Sequence, residues 1–355
     1  MNTAAPVLSN PYTATQAEKE VTLLNGLNAL SAWHREACAG YGRIVDALFD
    51  AAAPATSLAD VPYLPVRVFK HLDLKSVADT AIVRKLTSSG TSGQQVSRIY
   101  LDAETSGLQV KALSSIVQDL LGPQRQPMLI VDQKETTTSK ATFNARAAGV
   151  LGFSTFGRKH LYALDADMVP LWDEIESFIA AQQGGPIFLF GFTHVVWQHF
   201  LQQALLAGRR LDFGPQSLLI HGGGWKKLAD QKIDNEHFKT QLKQQLGIGR
   251  IANYYGMVEQ VGSIFMECEH GHLHAPAFAD VLMRDPLTLA PADCGAVQVL
   301  SLLPRSYPGH AVLTEDLGTV LGVDDCPCGR RGKYFLIHGR IPMAEMRGCS
   351  DVRTT

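Results

Sequence analysis

The chain has 355 residues, 46% of them apolar and 19% charged, with a formal net charge of −2. That balance excludes a disordered or collagen-like chain and leaves no basic surplus for nucleic acid as the main partner. Six cysteines over this length do not make a disulfide framework.

Residues 1–7 carry neither the basic segment nor the apolar core of a signal peptide. The most apolar run, residues 186–197, is broken by Gly191, Thr193 and His194 and is too short to cross a bilayer. A cytoplasmic enzyme is therefore expected. Residues 14–52 repeat apolar positions at threes and fours (Val21, Leu24, Leu27, Leu30, Trp33), which predicts helix. A linker at 54–57 closes this N-terminal helical region, 1–58. Pro62-Tyr63-Leu64-Pro65 then predicts extended chain leading into Val66-Arg67-Val68-Phe69-Lys70.

From residue 81 strands and helices alternate. Strands are predicted over 81–86, 97–101, 127–132, 187–190, 217–221 and 250–254, and helices over 102–121, 166–182, 193–207 and 227–246. The alternation predicts an α/β core over 59–275, with parallel-rich sheets flanked by helices. Past Pro276 short strands at 278–283, 296–303 and 311–315 sit among Pro and Gly, predicting a β-rich subdomain over 276–340. Residues 341–355 are left as a short mobile tail bearing Cys349.

Five segments carry chemistry. Thr87-Ser88-Ser89-Gly90-Thr91-Ser92-Gly93-Gln94 packs hydroxyls and glycines directly after a strand, the composition of a loop that cradles phosphate oxygens. No Gly-Lys-Ser/Thr closes it, so it is not a Walker A loop. His221-Gly222-Gly223-Gly224-Trp225 ends an apolar run and permits close backbone approach to a flat ligand. In Tyr254-Tyr255-Gly256-Met257-Val258-Glu259 a ring can stack on a purine and a carboxylate can hold Mg²⁺. Asp316, in Thr314-Glu315-Asp316, can accept from ribose hydroxyls, and Arg340, ending Phe335-Leu336-Ile337-His338-Gly339-Arg340, can contact ribose or phosphate. Taken singly, each also reads as a turn, a strand end or a surface ion pair. Phe190, Gly191, Phe192 and His194 are the best candidate lining for an apolar slot, and aromatic residues at such spacing also build cores.

In this order the five segments resemble the adenylate-forming superfamily, and within it the acyl-protein synthetase (long-chain-fatty-acid–luciferin-component ligase) family, relatives of the phenylacetate-CoA ligases. The 62–70 entry, Phe190-Gly191-Phe192, the 255–260 block and the tail Arg347-Gly348-Cys349-Ser350-Asp351 add to that likeness. The resemblance implies the large N-terminal domain of such an enzyme, without the mobile C-terminal domain that usually supplies a lysine. It implies that ATP·Mg²⁺ is held by Ser88, Ser89, Gly90, Thr91, Ser92, Gly93, Gly222, Gly223, Gly224, Tyr255 and Gly256, with Asp316 on the ribose. Glu259 would be the Mg²⁺ ligand and Arg340 a hinge contact. A fatty acid would become acyl-AMP, pass to Cys349 as a thioester, and go on to a partner such as an acyl reductase. An aryl or acyl acid–CoA ligase, and an inactive nucleotide- or acyl-binding subunit, are the alternatives. That missing domain is the largest of three departures from the superfamily pattern. Val258 replaces a usual Thr, and Gln94-Gln95-Val96-Ser97-Arg98 lacks the usual Lys, with Arg98 as a candidate substitute.

Cys268, His274, Cys326 and Cys328 would satisfy tetrahedral zinc. The Cys-x-Cys spacing differs from the usual Cys-x₂-Cys, and reduced buried thiols are the other reading.

Overall fold

The apolar run Met128-Leu129-Ile130-Val131 is buried on every side, as a strand covered on both faces must be. A computed structural model describes residues 8–49, 53–88, 95–138, 145–223 and 233–341. In it the predicted N-terminal helical region is two helices, Gln16–Ala37 and Ala39–Leu48, parted at Cys38. Thr15 and Glu18 close a capping box at the first turn, which satisfies two otherwise orphaned N–H groups. The buried stripe runs through Leu23, Leu27, Leu30 and His34, so Val21 faces solvent. The leucines pack on Leu58, Val61, Leu300 and Leu302, which pins the helix to the far half of the chain. Each fully buried leucine contributes roughly 1.5–3 kcal/mol.

Strand β1 (Leu64–Pro65) pairs in parallel with a late strand, and β2 (Ile82–Thr87) pairs with β3 (Arg98–Asp102) as a separate antiparallel ribbon. Asp102 then accepts from the Thr105 N–H and starts the helix Ala103–Leu121, which ends at Gly122 with φ +74°.

The α/β core follows. Strands β4 (Gln126–Gln133), β5 (Gly157–Leu164), β6 (Phe188–Phe192), β7 (Leu218–Gly222) and β8 (Arg250–Tyr255) lie parallel in the order β5-β4-β6-β7-β8. Alternate residues face opposite sides. Met128, Ile130, Phe188, Phe190, Leu218 and Ile220 share one core with Ala112, Ile116, Val150 and Phe153 of the helices Ala103–Leu121 and Ala145–Ser154. Leu129, Val131, Leu189 and Leu219 share the other with Ile175, Phe200, Phe238 and Leu242.

The β-rich part continues the same sheet rather than starting another. Strands β9 (Phe265–Glu267), β10 (Leu273–His274), β11 (Ala279–Arg284), β12 (Pro291–Ala292), β13 (Cys294–Ser301), β14 (Ala311–Val323) and β15 (Lys333–Arg340) extend it from β8 in the order β9-β10-β15-β14-β13-β11-β12. β14 outruns its predicted span because β15 pairs along it through two register shifts, at Leu317/Gly318 and Val320/Gly322. Three further differences have local causes. The helix predicted from 166 begins at Trp172, because Leu164 and Pro170 form a bridge and Met168 takes a positive φ. The helix Ala145–Ser154 was not predicted, since Gly149 and Gly152 lower its propensity. β5 escaped because it is an edge strand with exposed Arg158, Lys159 and His160.

Candidate active site

In an open α/β sheet ligands gather beyond the carboxyl ends of the parallel strands. Here those ends present Phe192 from β6, Gly222 and Gly223 from β7, and Tyr255 and Gly256 from β8. Glycine is required at 222: a Cβ there would lie 2.2 Å from the Tyr254 ring. Gly223 follows with φ +98°, a conformation that disfavours other residues. The turn is tied down by Thr193, whose hydroxyl donates to Gly222 O at 3.1 Å and accepts from His221 Nδ1 at 3.0 Å. Burial lowers the His221 imidazole to a pKa of about 3, so it stands neutral.

The sheet brings one carboxylate of the site, Asp316, from far along the chain. Tyr255 donates its phenol to Asp316 Oδ2 at 2.8 Å, across 61 residues of sequence. Asp316 pairs in register with Arg340 on β15, whose Nε stands 3.9 Å from Asp316 Oδ1. Burial raises the Asp316 carboxyl above its ordinary range, with the Tyr255 phenol and the Arg340 guanidinium pulling it back. The Tyr255 phenol is itself pushed up by burial and by Asp316, so it remains a donor.

Glu259 lies on the short 3₁₀ turn Val258–Gln260 and is 5% exposed. Burial raises its carboxyl, against the pull of the Ser97 hydroxyl and of the Lys70 and Arg340 cations. Tyr307 donates to the Glu259 carbonyl at 2.9 Å and holds the turn. Ser88 and Ser97, which flank the segment 89–94, are tied together: Ser97 N–H donates to Ser88 Oγ at 2.9 Å, and Ser88 N–H to Ser97 O at 3.2 Å. Ser89, Gly90, Thr91, Ser92, Gly93, Gly224 and Cys349 lie outside the described residues. Sequence reasoning gave no role to Ser97, Lys70 or Thr193, although Lys70 ends the 62–70 entry and Ser97 lies in the 94–98 run. Arg98, the candidate substitute cation, is committed to Asp73 at 2.5 Å.

Of the slot candidates, Phe190 is wholly buried and stacks on Phe153 at 4.2 Å, while Phe192 is half-buried at the strand end. Gly191 lets the next helix close in, since a Cβ there would meet Val196 at 2.7 Å. His194 sits in the short helix Thr193–Val195, which runs into the π-helical Val196–Leu201.

Away from the crevice, Cys268, His274, Cys326 and Cys328 bring one donor atom each within 4.8 Å of every other. Because β10 pairs with both β9 and β15, the segments carrying these residues meet. Cys268 and Cys326 sulfurs lie 4.0 Å apart, and Cys328 Sγ lies 3.3 Å from His274 Nε2. Tetrahedral zinc with Zn–S bonds near 2.3 Å would separate two sulfurs by about 3.8 Å. His274 is neutral, its pKa lowered to about 3 by burial, and its buried Nδ1 has no hydrogen-bond partner among the described residues. The donor set and spacing thus fit a closed Cys₃His zinc site; burial raises the three thiols, so a bound metal would displace their protons.

Comparison with known proteins follows the same lines. Residues 7–355 match the family described as acyl-protein synthetase, LuxE. The long-chain-fatty-acid–luciferin-component ligase of Vibrio harveyi is 26% identical over 308 residues, covering 82% of this chain and 77% of that protein. The ligase of the same name from Aliivibrio fischeri is 23% identical, covering 83% and 78%. In fold, the chain is similar to an open conformation of 2-hydroxyisobutyryl-CoA ligase in complex with 2-HIB-AMP and CoA. That likeness has a TM-score of 0.69 at 16% identity and covers 94% of this chain and 77% of that one.

Proposed function

The chain belongs to the acyl-protein synthetase family, ATP-dependent ligases that form acyl-adenylates, and from that premise we propose the following reaction. A fatty carboxylate oxygen attacks the α-phosphorus of ATP. The bond to the β-phosphate oxygen breaks, pyrophosphate leaves, and a mixed anhydride with AMP remains. The sulfur of Cys349 then attacks the acyl carbon, AMP departs with the bonding pair, and the thiol proton passes to solvent. The resulting thioester is delivered to a second protein, an acyl reductase in our reading.

The observation that carries this reading is the meeting of Tyr255, Asp316 and Arg340 at the mouth of the parallel strands, with the buried Glu259 on the turn that follows β8. Asp316 anchors ribose, Arg340 faces the ribose or phosphate from β15, and the backbone at Gly222 and Gly223 admits the flat adenine. Glu259 would hold Mg²⁺, which when bound offsets charge on the phosphates. The residues of the chain contribute mainly alignment and fixed donors. Phe192 and its neighbours form the apolar wall for the acyl chain. Among the described residues no helix is long and apolar enough to cross a membrane, and we place the enzyme in the cytoplasm.

The thiol–imidazole cluster is assigned structural zinc. The turn that carries Cys326 and Cys328 also grips the segment leading into the first helix. Arg330 lies over the Tyr12 ring at 4.4 Å, Arg331 N–H donates to Tyr12 O at 2.9 Å, and Gly332 N–H and Gln16 N–H both reach Asp324. Zinc would thus clip the first helix to β14 and β15.

The test uses the full chain with ATP, Mg²⁺ and labelled fatty acid. Pyrophosphate release and a hydroxylamine-labile label on the protein, lost in Cys349→Ala, are expected. Free acyl-CoA on adding CoA, with label indifferent to Cys349→Ala, would replace the reading with an acid–CoA ligase. Absence of pyrophosphate with every acid would leave an inactive binding subunit.

A further inference from the structure

Resting on the adenylation reading above, we propose that Phe192 sets the length of acyl chain the enzyme accepts, and that Gly149 and Gly223 exist to seat its ring. Phe192 ends β6 at the mouth of the crevice and touches both cores of the molecule. Its ring lies between two glycines. A Cβ on Gly149 would stand 2.8 Å from Cζ of the ring, and a Cβ on Gly223 would stand 3.0 Å from Cδ1. Gly149 lies within the helix Ala145–Ser154, where glycine costs helix stability relative to alanine. The close approach of the ring supplies the reason for that cost. Behind Phe192 the wall is solid: Phe190 meets it edge-on at 5.8 Å and is itself stacked on Phe153 at 4.2 Å. Phe153 and Phe190 are buried, whereas Phe192 is half-buried, so Phe192 is the ring of the three that an entering chain meets first. The methyl end of the chain would stop against it.

Substitutions on the two sides of this contact act in opposite directions. Phe192→Ala removes the stop, and Phe192→Trp enlarges it. Gly149→Ala leaves the ring chemically intact and drives it towards the crevice. Binding is read by displacement of a fluorescent polyene fatty acid with a homologous series of saturated acids, alongside pyrophosphate release for the same series. Phe192→Ala should raise the ratio of longer- to shorter-acid affinity by about tenfold, the lower end of what one methylene decides in an apolar pocket. Gly149→Ala and Phe192→Trp should lower it by a similar factor. Thermal unfolding checks that each variant is folded, and Phe192→Leu stands in for Phe192→Ala should the latter not fold. Folded variants that keep the wild-type optimum overturn the proposal, as does wild-type protein that binds no member of the series. Pyrophosphate release with an unchanged chain-length optimum would overturn this inference alone. Chain-length-dependent binding without pyrophosphate release would overturn adenylation and leave the gauge standing.

Discussion

The crevice and the thiol–imidazole cluster are both built where distant segments meet on one sheet, yet they treat their polar groups in opposite ways. In the cluster four donors point at a common centre and have mainly one another for company. In the crevice the Asp316 carboxylate is already answered by neighbours, Tyr255 and Arg340, while Glu259 is buried with the Lys70 and Arg340 charges acting on it. The first arrangement makes sense around one permanent ion. The second suits a ligand that comes and goes, because its partners persist when it leaves.

The largest effect should come from attacking the permanent side. Cys326→Ser, or prolonged chelation, should lower the unfolding midpoint by several kcal/mol of stability, given that structural zinc supplies about 10–16 kcal/mol in small zinc folds. Hydrogen exchange in Gln16–Ala37 should rise with it, since the cluster's turns hold that helix. Metal-free protein with an unchanged midpoint would erase the contrast. Next in size, Asp316→Ala should reduce acid-dependent pyrophosphate release by about tenfold to a hundredfold, matching the roughly 1.5–3 kcal/mol of a hydrogen bond to a charged group. Unlike the cysteine variant, it should leave the unfolding midpoint nearly in place, and a large drop in midpoint would make Asp316 structural instead.

The smallest effect concerns pH. Burial raises the Glu259 and Asp316 carboxyls, so the folded chain holds these protons more tightly than the unfolded one. Their contribution favours folding while they are protonated and is lost as pH rises through the raised, folded-state values. Glu259→Gln should therefore stabilise the ligand-free protein at neutral pH by about 1 kcal/mol while abolishing Mg²⁺-dependent turnover, a trade common at functional sites. The gain should shrink on acidification below the ordinary carboxylate range. A variant less stable at neutral pH would show that Glu259 is held as a structural anion.

Much of this was legible in the chain because the signals were local. The strands around Met128, Phe188 and Leu218 are short apolar runs, and the structure places them within a residue or two of expectation. The five motifs announced themselves by composition. What the sequence does not carry is pairing. Nothing near Tyr255 points to Asp316, and only the antiparallel turn-back through β9, β10, β15 and β14 joins them. The cysteines were visible, but β10 between β9 and β15 is two residues long and gives no periodic signal. Gly149 was silent for another reason, since a helix-breaking residue gains its meaning from a ring on a neighbouring strand.

The hydrogen bond from Tyr255 to Asp316 has one more consequence. With Oδ2 accepting from Tyr255 and Arg340 near Oδ1, the Asp316 carboxylate is held by residues of the chain itself. If Asp316 takes the ribose as proposed, an incoming sugar diol would have to share or displace the phenol, so docking would exchange one donor for another instead of adding a fresh contact. Such an exchange would trim the enthalpy gained on arrival, and in return departure of the nucleotide would leave a carboxylate already set for the next turnover.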